Sequence, residues 1–295
     1  MGSRGWASSS PKQAFRPVPQ KFNWIVGWAS SSPKQAFRPV PENQPHLIQD
    51  KNSMIANLTA TGWEIIYHRA HALLAAQLGG QWKRSKSPVR LYETIAAISH
   101  HDDLEKEWEE NILTEAGAPF DFTLQTETSL PKIKAMTQNS LYRGRWVAML
   151  ISMHMSYLNE GKRGESKELD EFLDEQLENQ KKWQKELQIS EEDAKAAYAF
   201  FQWCDRLSLI LCSRELPAGE RALEISVGPD GKRYDIVQHS NELVTVTPWP
   251  FEEDKFTVNV EACNLNQVKF DTNEEIKEAL HKAPREVLEW TFVKS

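Results

Sequence analysis

Apolar positions recur at helical spacing through the middle of the chain and at strand spacing toward its end. A short β-like lead, residues 55–58 and 63–66, runs into a helix expected over about 67–78, which Gly79-Gly80 should stop. Pro88 opens the next helix, whose inner face is marked by Leu91, Ile95 and Ile98. Residues 116–122 read as a loop rich in Gly, Pro and aromatics. A helix over 141–158 carries an inward stripe of Trp146, Val147, Leu150, Met153, His154 and Tyr157. The Gly/Lys-rich stretch 159–168 reads as a mobile linker, followed by a charged amphipathic helix over 169–187. Ser190, with Glu191, Glu192 and Asp193 behind it, is an N-terminal signal for a helix running to Cys212.

The period then changes. Residues 223–227, 234–237, 243–247 and 256–260 alternate or are β-branched, punctuated by Gly231, Pro248 and Pro250. A short helix over 273–283 and a strand over 287–293 close the chain. The expected fold class is α+β. A mainly α-helical bundle occupies residues 54–215, and an antiparallel β-subdomain over 216–295 packs on it as a lid, a dimer surface or core cover.

Residues 1–53 break this pattern. The segment 5–19 recurs unchanged at 27–41, an offset of 22 residues. It is Ser/Pro-rich and has no periodic apolar face, so it reads as a tandem duplication in a disordered tail rather than a solenoid. Normal globular character begins at Met54, which is expected to be the natural start.

Charge sharpens the division. Residues 1–53 hold seven Lys/Arg and two Asp/Glu, whereas the whole chain carries a formal charge of −7. The body is therefore strongly acidic, which disfavours nucleic acid as a partner. No apolar run reaches the roughly 18 residues needed to span a bilayer, and no secretory signal is evident, so the cytoplasm is the expected location. Cys204, Cys212 and Cys263 lack metal-ligand spacing and read as reduced thiols.

Candidate chemistry lies on the helices. His100-His101-Asp102-Asp103 ends the apolar run 91–99, and imidazole and carboxylate are the ordinary ligands of zinc, manganese and iron. His101 and Asp102, three and four positions beyond Ile98, continue its buried face. His68 and His71 are three apart and share a side of their helix; His71, among alanines and leucines, reads as the inward one. His154 interrupts an apolar stripe, and Asp205 sits within Phe200-Phe201-Gln202-Trp203-Cys204-Asp205-Arg206-Leu207. An unpaired buried carboxylate is costly, so Asp205 must be paired, protonated or metal-bound. Arg143, Arg145 and Arg206 are its alternative partners in sequence. His68 and His100 read as ordinary structural histidines, and His46, His239 and His281 as surface groups.

His71, His101-Asp102 and Asp205 occur in the order of the ligands of the HD superfamily of metal-dependent phosphohydrolases, with gaps of 30 and 103 residues. The chain resembles that superfamily at these positions only. The resemblance implies an HD-like bundle in which His71, His101, Asp102 and Asp205 hold a divalent metal (manganese, zinc or iron). His154 falls where that superfamily often places a histidine serving a second metal or the substrate phosphate. No second histidine of an intermediate helix lies between Tyr157 and Asp205, which counts against a binuclear centre.

The implied activity is metal-dependent hydrolysis of a small phosphorylated or nucleotide-like substrate. His154 and Asp103 are the expected catalytic residues, with Arg143 and Arg145 binding substrate oxyanions. A di-iron oxygenase on an HD-like fold and a non-catalytic binding or scaffold protein are the alternatives. Oligomeric state is not fixed by the sequence.

A wider likeness covers most of residues 54–295. Tyr67-His68-Arg69-Ala70-His71-Ala72-Leu73-Leu74, His101-Asp102-Asp103, Leu150-Ile151-Ser152-Met153-His154, Cys204-Asp205-Arg206-Leu207-Ser208-Leu209 and Pro248-Trp249-Pro250-Phe251 are similar to a bacterial family known only as a domain of unknown function. That likeness implies relatives but no reaction.

Overall fold

The structure, a computed structural model, describes residues 54–105 and 111–295. The duplicated segment, the expected tail and His46 lie outside these residues. In chain order the elements are β1 (Ile55–Leu58), β2 (Trp63–Ile66), α1 (His68–Gly80), α2 (Leu91–His100), α3 (Leu130–Ser140), α4 (Arg145–Asn159), α5 (Lys167–Leu187) and α6 (Glu191–Cys212). They continue with β3 (Leu223–Val227), β4 (Arg233–Gln238), β5 (Val244–Thr247), β6 (Lys255–Leu265), α7 (Asn273–Lys282) and β7 (Arg285–Val293). The fold is thus mixed α+β. No helix among the described residues is long and apolar enough to cross a membrane.

The seven strands of the described residues form one sheet in the order β1-β2-β6-β7-β5-β4-β3. The two strands that precede α1 therefore share a sheet with those that follow α6, joined where Trp63 to Ile65 pair with Leu265 to Cys263. The sheet is not wholly antiparallel as expected, because β5 runs parallel to β7 at Val244 and Phe292. Along β6, Val258, Val260 and Ala262 are buried while Thr257, Asn259 and Glu261 are exposed, so one face is covered and one meets water. The covered face receives α1 against β6 and α6 against β3.

Within the helical layer, α1 packs on α2 and α6, α2 on α4 and α6, and α4 on α3 and α5. The Ser190 hydroxyl accepts from the Asp193 amide, three acidic residues fill the first turn of α6, and that helix then runs for 22 residues. Trp82, Phe200, Trp203 and Phe251 interlock edge to face at the seam between helices and sheet, with Trp82 and Trp203 centred 4.8 Å apart. This fixes the C-terminal end of α1 against the middle of α6.

Three expectations change. Gly79-Gly80 closes α1 as its last two residues rather than ending it before them; a Cβ on Gly79 would stand 3.2 Å from Phe200 Cζ and 3.3 Å from Cys204 Sγ. Gly79 is a packing residue that lets α1 approach α6. Residues 130–140 form a helix that the apolar pattern does not mark, because only Leu130, Ile133 and Met136 give it an inner side. The stretch 159–168 is pinned rather than loose: Lys162 Nζ donates to Thr126 O and Thr128 Oγ1, both at 2.8 Å, and Arg163 pairs with Asp174 at 2.9 Å.

Candidate metal centre

Four helices aim polar groups at one interior point. Helix α1 supplies His68 and His71 one turn apart, the end of α2 supplies His101 and Asp102, α4 supplies His154, and α6 supplies Asp205 and Ser208. His68, His71, His101 and His154 are all buried. Three imidazole nitrogens converge on Asp102 Oδ2: His71 Nε2 at 2.7 Å, His68 Nδ1 at 3.3 Å and His101 Nε2 at 3.4 Å. Asp205 Oδ1 lies 3.2 Å from His101 Nε2 and 3.9 Å from His71 Nδ1. That oxygen is buried and faces those two imidazole nitrogens.

The outer ring nitrogens fix the tautomers. His101 sits just past the last residue of α2, where Nδ1–H donates to the Ile98 carbonyl at 2.6 Å and leaves Nε2 facing the two carboxylates. Ser208, three residues beyond Asp205, donates its hydroxyl to the Asp205 carbonyl at 2.8 Å. Its oxygen is then an acceptor for His71 Nδ1–H at 3.0 Å. His71 Nε2 is left as a lone pair 2.7 Å from a carboxylate oxygen. Two electron pairs at that distance require a cation or a proton between them.

Charge says the same. Burial opposes a proton on His101, but the Asp102 and Asp205 charges override it and raise its pKa to about 10. Burial likewise works against ionised Asp102 and Asp205, yet the His101 charge holds both below the usual carboxylate range. Burial lowers His71, against the pull of Asp102. Asp102 and Asp205 therefore stay ionised beside an imidazolium at His101.

His71, His101 and Asp205, and likewise His68, His71 and Asp102, bring one ligand atom each within 4.8 Å of one another. The donor types, and the convergence of imidazole nitrogens on the Asp102 and Asp205 oxygens, fit a divalent cation. Asp102 and Asp205 keep 21% and 15% of their side-chain exposure against 2% and 3% for His71 and His101, so solvent reaches the cluster from the carboxylate side.

The expected ligands His71, His101, Asp102 and Asp205 are thus brought together. His154 stands beside them, its ring 5.3 Å from that of His101 and 4.9 Å from that of Phe201. Burial pushes its pKa down to about 4. The Tyr198 hydroxyl approaches its Nδ1 at 3.4 Å. Asp103 does not enter the cluster; its carboxylate meets Arg143 and, at 3.1 Å, His100 Nδ1. Arg145 is not brought to the site and pairs with Glu186 of α5 at 2.9 Å. The sequence reading missed His68, which is buried against Asp102 and Phe122, and Ser208. The signals were the three-residue spacings, His68 to His71 and Asp205 to Ser208.

Neither the curated proteins nor the solved structures contain a match to this chain. Residues 54–267, which include every residue of the cluster, match the family described as protein of unknown function (DUF3891), and the chain belongs to that family.

Proposed function

We propose that the protein is a metal-dependent hydrolase of a small phosphorylated or nucleotide-like substrate, built on a helical cluster that resembles the HD superfamily. The observation that carries this reading is the pair of buried imidazoles, His71 and His101. Each ring uses one nitrogen to hold its orientation on Ser208 or Ile98 and aims the other at Asp102 or Asp205. Those four residues would hold the ion. A divalent metal so bound supplies acidified water and polarises a phosphoryl oxygen.

The remaining side chains take their roles from their partners. His154, neutral at pH 7 and approached at Nδ1 by the Tyr198 hydroxyl, offers Nε2–H as a donor to a substrate oxygen. In this reading it binds substrate rather than storing a proton. Asp103 is engaged by Arg143 and His100, and in this reading it holds those side chains beside the ion rather than acting on the reacting atoms. In this reading the helices of residues 54–215 carry the chemistry and the strands of residues 216–295 back them.

One observation favours the di-iron oxygenase alternative: the second triad, His68, His71 and Asp102, overlaps the first. Elemental analysis of aerobically purified full-length protein separates the readings. Stoichiometric manganese or zinc with hydrolysis of p-nitrophenyl phosphate supports the hydrolase. Iron with visible absorbance supports the oxygenase. His101→Ala should lower metal occupancy sharply and depress the melting temperature. Wild-type protein that holds no metal, and melts unchanged after chelation, returns the protein to the binding or scaffold class.

A further inference from the structure

A divalent ion between Asp102 and Asp205 is neutral overall, and the chain as a whole carries −7. Neither would draw an anionic substrate inward. Beside the cluster, however, two arginines from separate elements converge on the residue after Asp102. Arg69, on α1 between His68 and His71, donates through Nη2 to the Asp103 carbonyl, and Arg143, in the turn between α3 and α4, donates through Nη2 to the Asp103 carboxylate. Both side chains are exposed, Arg143 by 37%. A guanidinium carries five N–H donors in a planar fork. Among the described residues no further partner engages either head. One guanidinium on the Asp103 carboxylate and a second on its carbonyl put two positive charges beside one negative one at the edge of an acidic chain.

We infer that Arg69 and Arg143 form a clamp for a phosphate group of the substrate, with Asp103 as the resident anion that an incoming phosphate must displace. The inference rests on the reading of the neighbouring cluster as the reaction site. Forked N–H donors match phosphate oxygens two at a time, and such charge-assisted hydrogen bonds are the strong ones. Asp102 ligates and Asp103 is its neighbour, so a clamped phosphate lies beside the ion. Arg143 thereby keeps its expected role, Arg69 joins it, and Arg145 leaves the set.

Inorganic phosphate is the probe, titrated into full-length protein of measured metal content and followed by calorimetry and melting temperature. Wild type should bind phosphate and be stabilised by it. Arg69→Gln and Arg143→Gln should each weaken binding about tenfold. Arg145→Gln, at the pair with Glu186, should bind as wild type does. Asp103→Asn removes the competing anion and should tighten binding; a purely structural Asp103 would give the reverse.

The clamp is overturned if phosphate fails to bind wild type, if both glutamine variants bind it at full strength, if Arg145→Gln is equally impaired, or if Asp103→Asn weakens binding. Phosphate binding through Arg69 and Arg143 in a protein that never holds metal upholds the clamp and removes the hydrolase reading. A metal-replete wild type indifferent to phosphate does the opposite.

Discussion

Ser208 decides which nitrogen of His71 faces the cluster. Its hydroxyl proton goes to the Asp205 carbonyl, its oxygen receives His71 Nδ1–H, and the lone pair on Nε2 turns to Asp102. Removing the hydroxyl leaves the ring free to adopt the other tautomer without opening much space. Ser208→Ala should therefore lower metal affinity by roughly 10–100-fold, the usual cost of losing an outer hydrogen bond to a ligand. Competition with a fluorescent chelator measures it, and unchanged affinity would mean that Ser208 does not orient the ring. At this scale the sequence was legible where a polar residue interrupted an apolar face, as His71, His154 and Asp205 do. It was nearly silent where polarity looked ordinary. His68 heads its helix beside Tyr67 and Arg69, and its three-residue spacing from His71 is the lone hint that the ring turns inward against Asp102.

The elements that carry the cluster were read well because each has a strong apolar stripe or an end signal. Helix α6 starts where Ser190 predicts, and α1, α2 and α4 fall close to their expected spans. Gly79-Gly80 does close α1, as its last two residues, but glycine has two uses in a helix, and only the neighbour across the interface shows that Gly79 also serves packing. Gly79→Ala tests the second use. Alanine gains about 0.5–1 kcal/mol in helix propensity. Against this, the new methyl meets Phe200 Cζ at 3.2 Å and Cys204 Sγ at 3.3 Å, both in side chains with no exposure. Overpacking of a rigid core costs about 1–3 kcal/mol, so the variant should be destabilised on balance. Chemical denaturation gives the sign, and a more stable Gly79→Ala would show that α1 and α6 have slack between them. Gly80→Ala, which meets nothing within 4 Å, is the matched control and should be neutral or stabilising.

For the whole molecule, the pairing of β1 and β2 with β6 was beyond the sequence, since strand patterns mark a strand without naming its partner across some 200 residues. That pairing ties the strands before α1 to those after α6, and a charge held among the helices between them is a charge on the folding equilibrium. Two buried histidines act on metal-free protein in opposite directions. His101, raised from 6.5 to about 10, favours the folded state fully below pH 6.5, and this stabilisation is lost as pH rises toward 10. His154, lowered from 6.5 to about 4, favours the folded state above pH 6.5, and this is lost as pH falls toward 4. Stability of the chelated protein should therefore peak near pH 6.5 and fall on both sides. A bound metal takes the place of the His101 proton, so the decline from pH 6.5 toward 10 should disappear in metal-replete protein, whereas the acid side persists and steepens as protons compete for the ligands. Melting temperatures between pH 4 and 10, with and without chelator, provide the comparison. Identical alkaline limbs in the two series would show that no metal replaces the proton on His101, and the cluster would then be an ion-pair network that holds four helices together.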